Sequence, residues 1–419
     1  MARSPFLLIS FSFPPYAGVG CFRWSKFCKY LARRGHVIHV ATVDWSEQGP
    51  NTLLADVDHP NIHIHRLPSG YPHNLRFHPF KSRYLRFLRD RLFAALGFFY
   101  YDGIAQRWGQ HLLPFAKELI KREKLQMVVA TGGPFQVNRW AADIKVASPG
   151  VKLIQDFRDP WLANPFHPVH GRWFFKEHLY ENIKRWQSHS IKEADAVVSV
   201  TKGLCDRFAQ DDEARYEVIR NGYDGEVVKD LLAKLEKKEK QQEAIVITYT
   251  GGLTNGRNRP LISFLDVLRK LGSEKKFKVR LIGCNYGWLR RQYGDLVSAG
   301  TLEISGFVSH EEAMSAIMES NYALQLNAKE FPYALSTKIY ESAILKVPAI
   351  SLNYGGSIDW LIKEFGLGHS INPEQDDLHG FLSQLMKSPQ EEFAFSVEEF
   401  DHVNLANKYG ELIDELVSQ

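Results

Sequence analysis

Short apolar, β-branched runs recur along this chain, each closing on a loop of small residues and each followed by a helical pattern. Residues 6–9 lead through a loop, 14–20, into a helical stretch over 22–34 that Gly35 ends, and 37–42 is the next strand. A strand, a helix and a second strand in this order make a βαβ unit and imply a parallel sheet. The pattern repeats at 125–130, 151–154, 196–200 and 218–224. Residues 229–243, dense in Lys and Glu, read as a solvated helix bridging two domains. The alternation then restarts at 245–250 and runs through 278–283, 304–308, 322–326 and 349–352. The expected fold class is therefore α/β, with two Rossmann-like doubly wound sheets, and 419 residues suffice for two such cores.

Composition narrows the function. A hydrophobic content of 44% and a charged content of 24% are those of a soluble globular protein, and a net charge of +4 is too small for wholesale nucleic-acid binding. Cys21, Cys28, Cys205 and Cys284 are scattered without C-x-x-C spacing, which reads as a reduced, cytoplasmic protein without structural zinc. No histidine pair has H-E-x-x-H spacing, so no metal is expected. The opening apolar run at 6–9 is broken by Pro14 and Pro15 and reads as a strand, not a signal peptide; the run 92–101 is ten residues, too short to span a bilayer. Residues 76–108 are different. Arg76, Lys81, Arg83, Arg86, Arg89 and Arg91 accompany one acid, Asp90, and are interleaved with aromatics. Such a segment can lie on a membrane surface, on its inner face, or receive an anionic lipid-linked substrate; the competing reading is a helical pair with its aromatics in the core and its arginines solvated.

Chemistry concentrates at the ends of strands. Around 335–348, Ser336 or Thr337 is expected to cap a short helix carrying Lys338 in its first turn and Glu341 three residues on. A cation there suits a phosphate and a carboxylate one turn in suits a ribose diol, while an ordinary surface salt bridge is the alternative. Gly251 and Gly252 end a strand and Arg257 follows, an arrangement that fits a diphosphate: bare amides approach its oxygens and a cation offsets the charge of a departing nucleoside diphosphate. Gly355, Gly356 and Ser357 offer further amides. Earlier, Gly18 and Gly20, then Thr131, Gly132 and Gly133, place two small-residue loops at the carboxyl edge of the first sheet, where α/β ligands bind. The third position after Gly18 and Gly20 is Arg23, which argues against a dinucleotide site. Asp156, Arg158 and Asp159 follow another strand; one aspartate can act as base or orient a hydroxyl while Arg158 holds it or an anion, or the three form a structural fork.

In order and spacing these loops, with Asn221-Gly222, Gly306-Phe307-Val308 and the stretch Ser336 to Glu341, resemble the nucleotide-sugar-dependent glycosyltransferases of the GT-B fold, particularly the family 4-like bacterial polysaccharide and lipopolysaccharide enzymes. The resemblance implies two Rossmann-like domains facing across a cleft: an acceptor-binding domain at 1–228, a nucleotide-sugar-binding domain at 244–395, and a helix in 396–419 crossing back to the first domain. It also implies metal-independent transfer with retention to a saccharide or lipid-linked acceptor. No cofactor is implied beyond the nucleoside-diphosphate sugar itself as co-substrate. Glu341 matches the family's ribose-binding glutamate, Arg257 looks like the basic residue beside the diphosphate, and Lys338 has a similar place. Donor contacts are thus expected at Gly251, Gly252, Arg257, Ser336, Thr337, Lys338 and Glu341, and catalytic roles at Asp156, Arg158, Asp159, Arg257 and Lys338. The chain departs from the pattern at Tyr333, where the family carries a first glutamate, and at Gly252, where many relatives carry arginine. A catalytically degenerate scaffold that keeps the nucleotide pocket is the alternative these departures leave open.

Overall fold

A computed structural model describes residues 3–16, 19–45, 53–70, 80–99, 103–162, 176–209, 214–234, 244–253, 256–272, 276–387 and 393–419. The chain divides into two compact units, Met1–Arg220 with His402–Gln419, and Asn221–Asp401.

Among the described residues, unit 1 holds a seven-stranded sheet built from β1 (Phe6–Ser10), β2 (Ile38–Val43), β3 (Ile62–Leu67), β4 (Met127–Thr131), β5 (Lys152–Phe157), β6 (Ala196–Ser199) and β7 (Arg215–Val218). Their order is β3-β2-β1-β4-β5-β6-β7, and every pairing is parallel. Unit 2 holds a six-stranded sheet of β8 (Ile245–Thr250), β9 (Phe277–Ile282), β10 (Leu302–Ile304), β11 (Tyr322–Leu326), β12 (Ala349–Leu352) and β13 (Gly368–Ile371), ordered β10-β9-β8-β11-β12-β13 and again all parallel. Both are doubly wound α/β sheets, as the alternation of strands and helices requires. In each, the chain winds one way from a central strand and then returns to wind the other way, so the crevices between β1 and β4 and between β8 and β11 are topological switch points.

Strand β1 shows how the sequence produces these layers. Phe6 and Leu8 enter one core with Trp24 and Phe27 of the helix Val19–Arg33, whereas Leu7 and Ile9 enter the opposite core with Trp108 and Leu112. A strand apolar at every position is what a sheet covered on both faces needs. The helix His402–Ser418 completes the first of these cores: Leu405, Tyr409, Ile413 and Leu416, spaced along one helical face, are buried against it, and the Tyr409 ring lies edge-on to Trp24 at 4.9 Å. The units part at Arg220 and Asn221, ahead of residue 228, because the segment after β7 pairs with the far end of unit 2: Tyr223 N–H donates to the Phe400 carbonyl at 3.0 Å, and Tyr223 and Asp401 form a parallel bridge.

Two local expectations resolve differently. Ser309 and Glu312 form the capping box that S-x-x-E predicts, with Glu312 N–H on Ser309 Oγ at 3.2 Å and Ser309 N–H on the Glu312 carboxylate at 2.8 Å. The sequence over 286–299, between two strands, reads as a single helix, but it forms two, Gly287–Gln292 and Gly294–Ser298. Tyr293 leaves the helical region between them (φ −120°, ψ 31°) and buries its ring, with its hydroxyl donating to Asp266 at 3.0 Å. Of the Lys- and Glu-rich stretch, residues 229–234 end the helix Gly225–Lys234, which has no buried residue and belongs to unit 2, so this part does not bridge the units; residues 235–243 lie outside the described residues.

The helix Arg83–Phe99 covers part of the basic, aromatic segment. Tyr84, Leu85, Phe87, Leu88 and Leu92 are all exposed, Tyr84 by 67%, so these side chains do not enter a core. Arg76 and Phe77 lie outside the described residues. Among those described, no helix is long and apolar enough to cross a membrane.

Candidate functional site

In unit 2 the expected donor residues gather at the β8/β11 switch point. Strand β8 ends at Thr250, and Gly251 continues with φ +120°, a conformation that L side chains rarely adopt. The space where a Gly251 β-carbon would stand is taken by Lys338 Nζ. That ammonium, brought over by the helix Lys338–Ile344, donates to the Thr250 carbonyl and lies 5.6 Å above the Tyr249 ring. Burial pulls its pKa down, the charge of Glu341 pushes it up, and the charge of Arg257 lowers it. Arg257 also acts on Tyr249, whose phenol burial drives upward. Lys338, Arg257 and Glu341 therefore share one electrostatic neighbourhood. The loop beneath is tightly held: Cys284 Sγ donates to the Gly251 carbonyl at 2.7 Å, Tyr249 hydroxyl donates to the Gly252 carbonyl at 2.8 Å, and Gly283, at φ +82°, packs against the Gly251 backbone. Burial pushes the Cys284 thiol up to about 12, so it stays protonated.

The surface salt bridge between Lys338 and Glu341 does not form. Glu341 is paired instead with His310 of the helix His310–Met318, at 3.3 Å, and this carboxylate raises the pKa of the imidazole. His310 is the residue that sequence reasoning passed over; its only signal was its place after the Ser309 cap. The caps also differ. Thr337 is exposed in the helical region without a side-chain cap bond, and the Ser336 hydroxyl reaches only Lys338 N–H, at 3.4 Å. The extra amides expected at 355–357 are largely spent, since Gly355 N–H donates to Asn353 Oδ1 at 2.8 Å and Ser357 N–H to the Pro332 carbonyl at 2.7 Å.

In unit 1 the three loops after β1, β4 and β5 meet, and Arg158 fastens them. Its guanidinium donates to the Gly20 carbonyl at 2.8 Å and the Gly132 carbonyl at 2.6 Å. Gly20 and Gly133 make room for it: a β-carbon on Gly133, which has φ +99°, would lie 2.8 Å from the guanidinium. The fork between two aspartates is thus corrected, because Arg158 bonds neither of them. Asp156 is fully buried and committed elsewhere, accepting from Arg23 Nε at 3.1 Å and from Trp24 Nε1 at 2.6 Å. Arg23, 4% exposed, also donates to the carbonyls of Ile219 and Arg220 at 2.7 and 2.8 Å. An ion pair so enclosed holds the first helix to the sheet; it presents no oxygen to an acceptor hydroxyl, and the role of base or orienter expected for Asp156 is withdrawn. Asp159 is exposed, Thr131 ends β4, and Gly18 lies outside the described residues.

The whole chain superposes on solved structures at low sequence identity. A glycosyltransferase from Rickettsia africae ESF-5 is similar over 100% of both chains, with TM-score 0.63 and 15% identity. The catalytic domain of starch synthase IV from Arabidopsis thaliana, bound to ADP and acarbose, is similar over 100% of both chains at 0.59 and 10%. The chain has the GT-B fold. A Listeria monocytogenes protein assigned as a UDP-N-acetylglucosamine 2-epimerase by its description alone is similar too, over 100% of this chain and 97% of its own, at 0.55 and 13%; a shared architecture by itself does not name a reaction. No protein-family model matches the chain, and no curated protein matches it in sequence. Tyr333, which stands where GT-B family 4 enzymes are expected to carry a glutamate, is 5% exposed and packs edge-on to Phe331 at 5.9 Å.

Proposed function

We propose that the protein transfers a glycosyl group from a nucleoside-diphosphate sugar to a hydroxyl of a saccharide or lipid-linked acceptor, with retention of configuration, in surface polysaccharide assembly. The observation that carries this reading is the Lys338 ammonium, half-buried against Gly251 and bonded to a backbone carbonyl, with Arg257 and Glu341 in its field. A diphosphate at the end of β8 replaces that carbonyl with charged oxygens, which bind an ammonium more strongly. As the bond to the sugar breaks, negative charge grows on the leaving diphosphate, and fixed cations at Lys338 and Arg257 stabilise it without needing a metal. Glu341 accepts from the ribose hydroxyls, and His310 holds its carboxylate in place.

The helix Arg83–Phe99 supports a peripheral membrane location. Tyr84, Leu88 and Leu92 follow one another at four-residue steps as an exposed apolar stripe, and Arg83, Arg86, Arg89 and Arg91 surround it with a single acid, Asp90. That charge balance suits anionic headgroups on the inner face of a membrane.

The test is direct. The purified protein is titrated calorimetrically with a panel of nucleotide sugars, and reaction mixtures with saccharide and lipid-linked acceptors are read by NMR. A new glycosidic linkage is the expected product. Donor binding without turnover would instead favour the scaffold, and an epimerised donor sugar would replace transfer by isomerisation.

A further inference from the structure

At the β1/β4 switch point of unit 1 a guanidinium lacks a directly bonded counterion. Arg158 is enclosed by the loops after β1 and β4, and a guanidinium carries five N–H donors. Two of Arg158's are bonded, both to neutral backbone carbonyls, and its Nε is buried without a partner among the described residues. Among the described residues no carboxylate is hydrogen-bonded to it: the charges of Asp156 and Asp159 act on it from nearby, but Asp156 is taken by Arg23 and Trp24, and Asp159 is exposed. A cation removed from water ordinarily has a counterion.

The surroundings are also short of partners. The Thr131 hydroxyl at the end of β4 is buried with none among the described residues. So are both ends of the Gln136 amide, fully buried in the first turn of the helix Gln136–Val146. Both helices that start beside these loops, Val19–Arg33 and Gln136–Val146, lack an acidic residue in their first turns, so neither helix supplies a carboxylate of its own to the positive end of its dipole. A half-buried cation with spare donors, an unpartnered hydroxyl, an unpartnered amide in the first turn of the helix that follows, and two helix N-termini all lie on the loops where a doubly wound sheet takes its ligand.

We propose that this crevice binds an anionic group, a phosphate or a carboxylate, with Arg158 as its anchor. Resting on the transfer reading, this makes the acceptor an anionic molecule, such as a sugar phosphate, a lipid phosphate or a uronic acid, in preference to a neutral saccharide. Arg158 then acts in positioning, drawing the acceptor to the loops it already fastens.

The experiment titrates the full-length protein with inorganic phosphate, a hexose 6-phosphate, a hexuronate and a neutral hexose. The same series is run on Lys338→Ala, which weakens the donor site, and on two unit 1 variants. Arg158→Gln removes the charge. Gly20→Ala keeps it but crowds the guanidinium, from which the new methyl would stand 3.3 Å. At least one phosphate or carboxylate probe is expected to bind tenfold or more tightly than the neutral hexose, equally well in wild type and Lys338→Ala. Its affinity should fall at least tenfold in Arg158→Gln, and measurably in Gly20→Ala should the first variant not fold. The inference is overturned if no anion outcompetes the neutral hexose, if the preference disappears in Lys338→Ala, or if it survives in both unit 1 variants. Anion binding through Arg158 without any glycosyl product would keep this inference and remove the transfer reading.

Discussion

Replacing Asp156 by Asn separates a structural carboxylate from a chemical one. The substitution is nearly isosteric but leaves Arg23, 4% exposed, without the charge it faces. Breaking one side of a buried ion pair costs about 3–5 kcal/mol. Arg23 keeps its bonds to the Ile219 and Arg220 carbonyls, and the amide oxygen can still accept from Trp24 Nε1, so the lower end, about 3 kcal/mol, is expected. In a unit of this size each kcal/mol moves the melting temperature by about 2–4 °C, which gives a fall of about 6–12 °C. Calorimetry reads that shift, and donor turnover is measured well below the transition. Pairing the change with Arg23→Met, which removes the stranded charge, should recover part of the loss. A variant that melts like wild type yet loses a hundredfold in turnover would refute the structural assignment and restore Asp156 to the chemistry.

Lys338→Ala should weaken nucleoside diphosphate binding by about 10- to 150-fold in calorimetric titration, the worth of one charge-assisted hydrogen bond of about 1.5–3 kcal/mol. Glu341→Ala should weaken it by about tenfold while leaving inorganic pyrophosphate binding nearly unchanged, since the contact at stake is with the ribose. On β2 and β3, His39 and His65 face one another at 3.2 Å beside His63, Arg122 and Glu123; burial holds both below the ordinary histidine value of 6.5. Their neutral forms therefore contribute stability that is complete above about pH 6.5 and lost as the pH falls through their lower folded values. Melting temperature should drop between about pH 7 and 5, and His39→Leu should flatten that slope. Finally, Leu88→Glu should reduce co-sedimentation with anionic lipid vesicles several-fold without altering turnover of a soluble acceptor.

Much of the fold was legible because it is written locally. Apolar runs in β1, β8 and β11, glycines after them and the Ser309 capping box each report on a few adjacent residues, and a repeated strand-helix order admits few sheets. Side-chain pairing across the sheet was not legible. Nothing near Asp156 announces that Arg23, 133 positions earlier, will claim it, and the Asp-x-Arg-Asp spacing suggested a fork that the backbone carbonyls of Gly20 and Gly132 win instead. Lys338 and Glu341 misled in the same way. Their three-residue spacing fits a helical pair, but the lysine finds the end of β8 and the glutamate finds His310. Element edges failed where one side chain overrode propensity, as Tyr293 did in burying its ring against Asp266.

The packing of the helix His402–Ser418 under β1 fixes an order of events during synthesis. Unit 1 is split in the chain by the whole of unit 2, so Trp24 and Phe27 wait for Tyr409 until residues 221–401 have been made. Unit 2 has all its parts contiguous and can mature first, like a cassette inserted into an unfinished host. Arg3 and Asp414 are ion-paired across that late closure, so a permuted chain joining the two ends by a short linker should assemble, whereas deleting the last turns should leave an open apolar groove along the first helix.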